Sequence, residues 1–284
     1  MTIRAVHHLN CGTMCPLGGF LLGGRGLRGR MVAHCLALET ERDGLVLVDT
    51  GFGTRDVARQ TPVPRAFRAM CGPAFDEAET AIAQLAALGF AATDVRHIVV
   101  THLDLDHAGG LSDFPAAQVH VHAKEHAAAM ARSRYLEKER YLPAQWAHGP
   151  RWELYAEDGD IWRGLPAIQR LRGLDADVGL LPMHGHTRGH AAVLVRAAER
   201  WLVHAGDAYF HRGSIDPQLS VPIGLRAFER ATQTDAAARR ASVAALRQLR
   251  ERYDDVALFC AHDPAEYDAM RGAPDRAATS ARAG

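Results

Sequence analysis

Residues 101–110 read THLDLDHAGG, and four of those ten positions carry strong metal ligands: His102, Asp104, Asp106 and His107. The run before them, His97-Ile98-Val99-Val100, is short, apolar and β-branched, which predicts a buried strand. The run after them, Ala108-Gly109-Gly110, predicts a tight turn whose backbone can pass close to a bound ion. Two imidazoles and two carboxylates at the end of a buried strand serve no packing purpose. Without a cation they would repel or stay unsatisfied. The stretch therefore predicts a metal cage and not a solvated acidic loop.

Upstream, Asp76 to Leu88 has the spacing of an amphipathic helix, with Ala78, Ala81, Ile82, Leu85 and Leu88 on its inward face. It feeds the motif-bearing strand, so the motif sits at a strand's carboxyl end, where α/β proteins commonly place their sites. Gly19 to Leu22, Met31 to Leu38 and Leu45 to Val48 are strand candidates, with Asp43-Gly44 as a hairpin turn between the last two. Asp49 then either orients a metal-bound histidine or opens a turn. Gly24 to Gly29 matches GxGxxG by letter, but a strand follows it instead of a helix, which predicts a hairpin tip and no dinucleotide site.

Downstream, Gln118 to His122 predicts a strand whose His120 and His122 are packing or surface residues, and Lys124 to Arg132 predicts a helix. From Tyr135 to Trp162 the chain holds three of its four Trp and three of its six Tyr. That segment, about 135–163, reads as an insertion that covers a site or pairs two copies of the chain as a homodimer. Strands follow near 168–170, 179–183, 191–195 and 201–204, then a mainly helical stretch from Leu225 to Arg252 and a last strand at Val256 to Cys260. One domain is expected over 1–271, with a frayed tail at 272–284.

Composition narrows the function. Lys+Arg and Asp+Glu both number 33, so the chain lacks the basic excess that phosphate contacts require, and nucleic acid is not expected as a partner. No run approaches the roughly 18 apolar residues of a membrane span. His7, His8 and Asn10 stand where a leader's apolar region would lie. The five cysteines are scattered and odd in number, which predicts reduced thiols in a cytoplasmic setting.

Three later residues complete the constellation, each directly after a predicted strand: His186 in HGHTRGH, Asp207 in HAGDA and His262 in CAHD. In this order, with the central motif, the chain resembles the metallo-β-lactamase-fold hydrolases along essentially its whole length. The resemblance implies an αββα sandwich with metals at one edge of the two sheets. It implies one divalent ion held by His102, Asp104 and His186, a second held by Asp106, His107 and His262, and Asp207 shared between them. One residue departs from the superfamily's usual HxHxDH: Asp104 stands in place of the second His. Zinc is the first expectation for both ions, and the harder carboxylate ligand admits iron or manganese.

The implied chemistry is hydrolysis of a small ester-like substrate by a hydroxide shared between two cations. Asp106 is the expected proton acceptor and Tyr209 the expected oxyanion donor. No GxSxG elbow suggests a serine nucleophile. A lactone is the favoured substrate. A glyoxalase II-type thioesterase, with an arginine-rich pocket supplied by the 226–252 helix, and a di-iron oxidoreductase-like protein are the alternatives.

Overall fold

The computed structural model describes residues 3–24, 26–156 and 159–272. Strands β1 (Ile3–Asn10), β2 (His34–Thr40), β3 (Leu45–Val48), β4 (Val95–Val99), β5 (Gln118–His122) and β6 (Arg151–Tyr155) form one sheet in that order. Strands β7 (Asp160–Trp162), β8 (Leu165–Arg170), β9 (Val178–Pro182), β10 (Ala191–Ala197), β11 (Arg200–His204) and β12 (Val256–Phe259) form a second. The helices are α1 (Thr54–Val57), α2 (Arg65–Cys71), α3 (Ala81–Ala87), α4 (Ala123–Ala131), α5 (Tyr135–Arg140), α6 (Ile223–Thr232), α7 (Ala236–Arg252) and α8 (Pro264–Gly272).

The alternation along single strands builds the layers, because successive side chains point to opposite faces. In β2, Cys35 and Ala37 cluster with Ala81 and Leu85 of α3 and with Ala128 and Ala129 of α4. Their neighbours Leu36 and Leu38 cluster instead with Val193 and Val195 of β10. In β10, Ala192 and Leu194 pack against Leu246 and Leu249 of α7. The order helix, sheet, sheet, helix follows, and strands such as β3 (LVLV) are apolar throughout because both faces are covered.

The topology puts the site at one edge. β3, β4 and β5 run parallel, as do β11 and β12, and β9 reaches the same direction through antiparallel β10. The carboxyl ends of β3, β4, β9, β11 and β12 therefore open on the same side.

Several elements differ from the sequence expectation. Gly19–Leu22 is a 3-10 turn, bracketed by Gly18 (φ 82°) and Gly23 (φ 87°), whose left-handed backbone cannot continue a strand. Residues 225–252 are two helices, because Asp235 caps α7 by accepting from the Ala237 and Ala238 amides. The 76–88 helix starts late, at Ala81, where Thr80 caps it. The aromatic segment is only partly an excursion. Arg151–Tyr155 pairs with β5 and Asp160–Trp162 with β8, so its second half supplies edge strands to the two sheets. The expected tail lies outside the described residues beyond Gly272.

Candidate metal centre

All seven expected ligand residues meet just past strand ends. His102, Asp104, Asp106 and His107 follow β4, His186 follows β9, Asp207 follows β11 and His262 follows β12. Asp207 divides them. Its Oδ2 lies 3.4 Å from His186 Nε2 and 3.7 Å from His102 Nε2. Its Oδ1 lies 3.1 Å from His262 Nε2 and 3.4 Å from His107 Nε2. Asp104 Oδ2 closes the first group at 3.0 Å from His186 and 3.4 Å from His102. Asp106 Oδ2 closes the second at 3.6 Å from His262.

These spacings suit cations. Tetrahedral donors about 2.1 Å from an ion stand roughly 3.4 Å apart. His102 Nε2 and Asp207 Oδ1 are buried with no hydrogen-bond partner, a costly arrangement unless a ligand completes them. Burial alone would push the Asp207 carboxyl up, but in the metal-free protein His262 and His107, when protonated, outweigh it and hold it well below the usual carboxylate range. The donor set, two imidazoles and carboxylate oxygens in each half, matches zinc, iron or manganese chemistry.

Three of the four imidazoles, His102, His107 and His262, are aimed by their other ring nitrogens. His107 Nδ1 donates to Asp49 Oδ2 at 2.9 Å, and His262 Nδ1 donates to the Val32 carbonyl at 2.6 Å. The Thr101 hydroxyl donates to Asp49 Oδ2 at 2.7 Å and so accepts from His102 Nδ1 at 2.9 Å. All three rings thereby turn a bare Nε2 inward, the arrangement ligation needs. Asp49 thus does both things its position suggested: it leaves β3 with φ 55° and its carboxylate fixes two rings. His190 holds the Asp207 amide through Nε2 at 2.9 Å while donating Nδ1 to the Met183 carbonyl, so it is a support outside the donor set. Gly206 (φ +52°) fits here because a Cβ would stand 2.6 Å from His190 Nε2.

Two expectations, for Tyr209 and Gly109, change, and one, the packing role of His120, holds. Tyr209 does not reach the cluster. Its neighbour Phe210 turns inward and stacks on the His262 ring at 8° and 5.2 Å, which sends Tyr209 outward to pack with Leu181 and Leu246. The Tyr209 hydroxyl lies 3.2 Å from Glu266. Gly109 serves packing and not close approach to an ion, since a Cβ there would collide with Asp56 Oδ2 at 2.2 Å and the Gly51 carbonyl at 2.6 Å. His120 belongs to a chain running from His97 to the Tyr155 hydroxyl, away from the site.

Sequence reasoning missed Arg140 and Glu125. The buried Glu125 accepts from the Leu103 amide at 3.0 Å, the Gly189 amide at 3.1 Å and the Tyr141 hydroxyl at 2.9 Å, tying both ligand loops to α5. Arg140, at the end of α5, places Nε 3.4 Å from Asp104 Oδ1. Glu125 sits in the helical run AKEHAAAMA and Arg140 in the polar run YLEKERY, and a charge in either gives no local sign of its contact.

A cavity of about 210 Å³ opens over the cluster. Its walls are largely apolar and include Met14, Phe67, Met70, Phe210 and Phe228, with Asp104, Asp106, His186, Asp207 and His262 at its floor.

The metallo-beta-lactamase superfamily profile matches residues 28–262. A Mycobacterium tuberculosis protein named "Probable metallo-hydrolase" is 45% identical over 94% of this chain and 82% of its own length. An N-acyl homoserine lactonase of Bacillus cereus is 29% identical over 60% of each chain. Among solved structures, an N-acyl homoserine lactone hydrolase with N-hexanoyl-L-homoserine at its catalytic metal centre superposes with a TM-score of 0.69. It is 21% identical, covering 95% of this chain and 97% of that one.

Proposed function

The chain belongs to the metallo-β-lactamase superfamily and is a metal-dependent hydrolase, and on that premise we propose that it uses two divalent cations to open a small lactone. The observation that carries the dinuclear reading is the division of Asp207, one carboxylate oxygen toward each group of donors. Two cations held there would lower the pKa of a water toward neutrality and draw electron density from a carbonyl oxygen. The protein's own part is to bind, aim and shield. His102, Asp104 and His186 would hold one ion and Asp106, His107 and His262 the other, with Asp207 shared. Asp106 would also take up the proton that the attacking water loses. Phe210, flat on His262, walls the reacting carbonyl from solvent, and the apolar cavity accepts an uncharged acyl or alkyl group.

The cavity also favours a lactone over a glutathione thioester. None of the α7 arginines lines the cavity, and two of them are paired elsewhere, Arg239 with Glu229 and Arg250 with Asp216. An anionic substrate would meet only Arg140 as a cation among the described lining residues. The test is elemental analysis of the purified protein alongside hydrolysis of lactones, thioesters and phosphodiesters. Two metal equivalents and chelator-sensitive lactone opening are expected. Full lactone turnover by metal-free protein would overturn the mechanism, and preference for thioesters would overturn the substrate.

A further inference from the structure

We propose that Arg140 and Asp104 are a matched pair, in which a permanently charged, buried guanidinium aims Asp104 at the metal and makes a carboxylate the right ligand there. The proposal rests on the reading that the cluster holds two cations. Asp104 is divided as Asp207 is. Its Oδ2 faces His186 Nε2 and His102 Nε2 at 3.0 and 3.4 Å, while its Oδ1 faces Arg140 Nε at 3.4 Å. Both side chains are only 10% exposed, so water screens the pair little. The guanidinium cannot lose its charge.

Arg140 is also held in place. One terminal nitrogen donates to the His186 carbonyl at 3.1 Å and the other to the Thr232 carbonyl at 2.7 Å. The next residue, Tyr141, is anchored on Glu125, and Gln145 donates to the Leu105 carbonyl at 2.8 Å. The cation therefore cannot swing aside if its partner changes. An imidazole at position 104 would leave a fixed positive charge beside a divalent ion with nothing between them. An uncharged residue at 140 would leave Asp104 free to turn from the ion. The departure from HxHxDH at position 104 and the arginine at position 140 thus require one another, 36 residues apart in the chain. Arg140 acts through Asp104 and is a positioning residue.

The experiment titrates metal-stripped full-length protein with zinc against a chromophoric chelator, reading stoichiometry and the affinity of each equivalent. Wild type, Arg140→Met, Arg140→Gln, Asp104→His and the double variant Asp104→His/Arg140→Met are compared, and circular dichroism of each metal-free form checks folding. Each single variant should bind one of the two equivalents about 10–100-fold more weakly, with the other nearly unchanged. The double variant should recover to within about threefold of wild type. Wild-type affinity in the Arg140 variants, or losses that simply add in the double variant, would overturn the pairing. Equal loss of both equivalents would mark Arg140 as a general brace and also overturn it. If Arg140→Met does not fold, Arg140→Gln, which keeps donors for the two carbonyls, takes its place in both arms. Fewer than two equivalents in the wild type would defeat the dinuclear reading itself, independently of the variants.

Discussion

Replacing Glu266 with Gln should raise the protein's stability at alkaline pH and leave it almost unchanged in mild acid. The Glu266 carboxyl accepts from the Cys260 amide at 2.8 Å and meets the Tyr209 hydroxyl at 3.2 and 3.3 Å. Burial, with a smaller push from Asp263, raises its pKa from 4.5 to about 7. Between those values the folded protein holds a proton that the unfolded chain has released. Stability therefore falls as pH rises through the interval and stays lowered above it. At about 1.4 kcal/mol per pH unit the penalty is at most roughly 3 kcal/mol, and about 2 kcal/mol once the solvent at the carboxyl's partly exposed edge is counted. Gln imitates the protonated acid: its oxygen accepts from Cys260 and its nitrogen reaches Tyr209. The check is thermal unfolding of both proteins at pH 5 and pH 8.5. The variant should lie within about two degrees of wild type at pH 5 and unfold about 4 °C higher at pH 8.5. Metal binding depends on pH too, but equally in both proteins, so the difference isolates Glu266. An equal gap at both pH values would refute the reasoning.

Asp207→Ala removes the carboxylate common to both donor groups, and should cut bound metal below two equivalents and turnover by at least about a hundredfold, measured by elemental analysis and steady-state hydrolysis. Asp49→Asn keeps a residue type that tolerates φ 55° but takes the anion from His107 Nδ1. Zinc affinity should fall about 10–100-fold with an unchanged circular dichroism spectrum, and wild-type affinity would remove Asp49 from the site's support. Gly206→Ala drives a Cβ to 2.6 Å from His190 Nε2 at a left-handed φ. It should cost about 1–3 kcal/mol in chemical denaturation, whereas a neutral effect would mean the Asp207 loop yields freely.

The donors were legible because ligation is written in residue types at strand ends. His102, Asp104, Asp106 and His107 share ten residues, and each of the other three stands within a few residues of the end of an apolar run. The layers were legible only through the resemblance, and the structure gives their physical reason: β2, β3 and β10 are apolar on both faces, which only a covered sheet accommodates. Boundaries were less legible where a local cap overrode periodicity, as at Thr80 and Asp235. The 135–163 segment was legible in part: Tyr135, Leu136 and Arg140 line the cavity over the cluster, but aromatic content signals burial without saying against what. Trp146 and Tyr141 serve the first sheet's outer core, and Tyr155 packs between the sheets.

The orientation of the donors was legible only at Asp49, which the sequence offered as a residue that orients a histidine, and the reason is geometric. Whether a histidine turns Nε2 inward depends on what meets its Nδ1, and for His107 and His262 those partners come from far along the chain, while for His102 the partner is the adjacent Thr101. His262 is aimed by a carbonyl at Val32, His107 by a carboxylate at Asp49, and Asp104 by a guanidinium at Arg140. Tyr209 shows the same limit from the other side. Adjacent residues after Asp207 turn opposite ways, and only the His262 ring, 52 residues beyond Phe210, decides that Phe210 is the one facing the cavity. Residue type at a strand end tells which atoms can bind a cation. The long-range contacts that fix His107, His262 and Asp104 help decide whether they do, so substitutions at these distant partners should weaken metal binding while the seven candidate donors themselves stay intact.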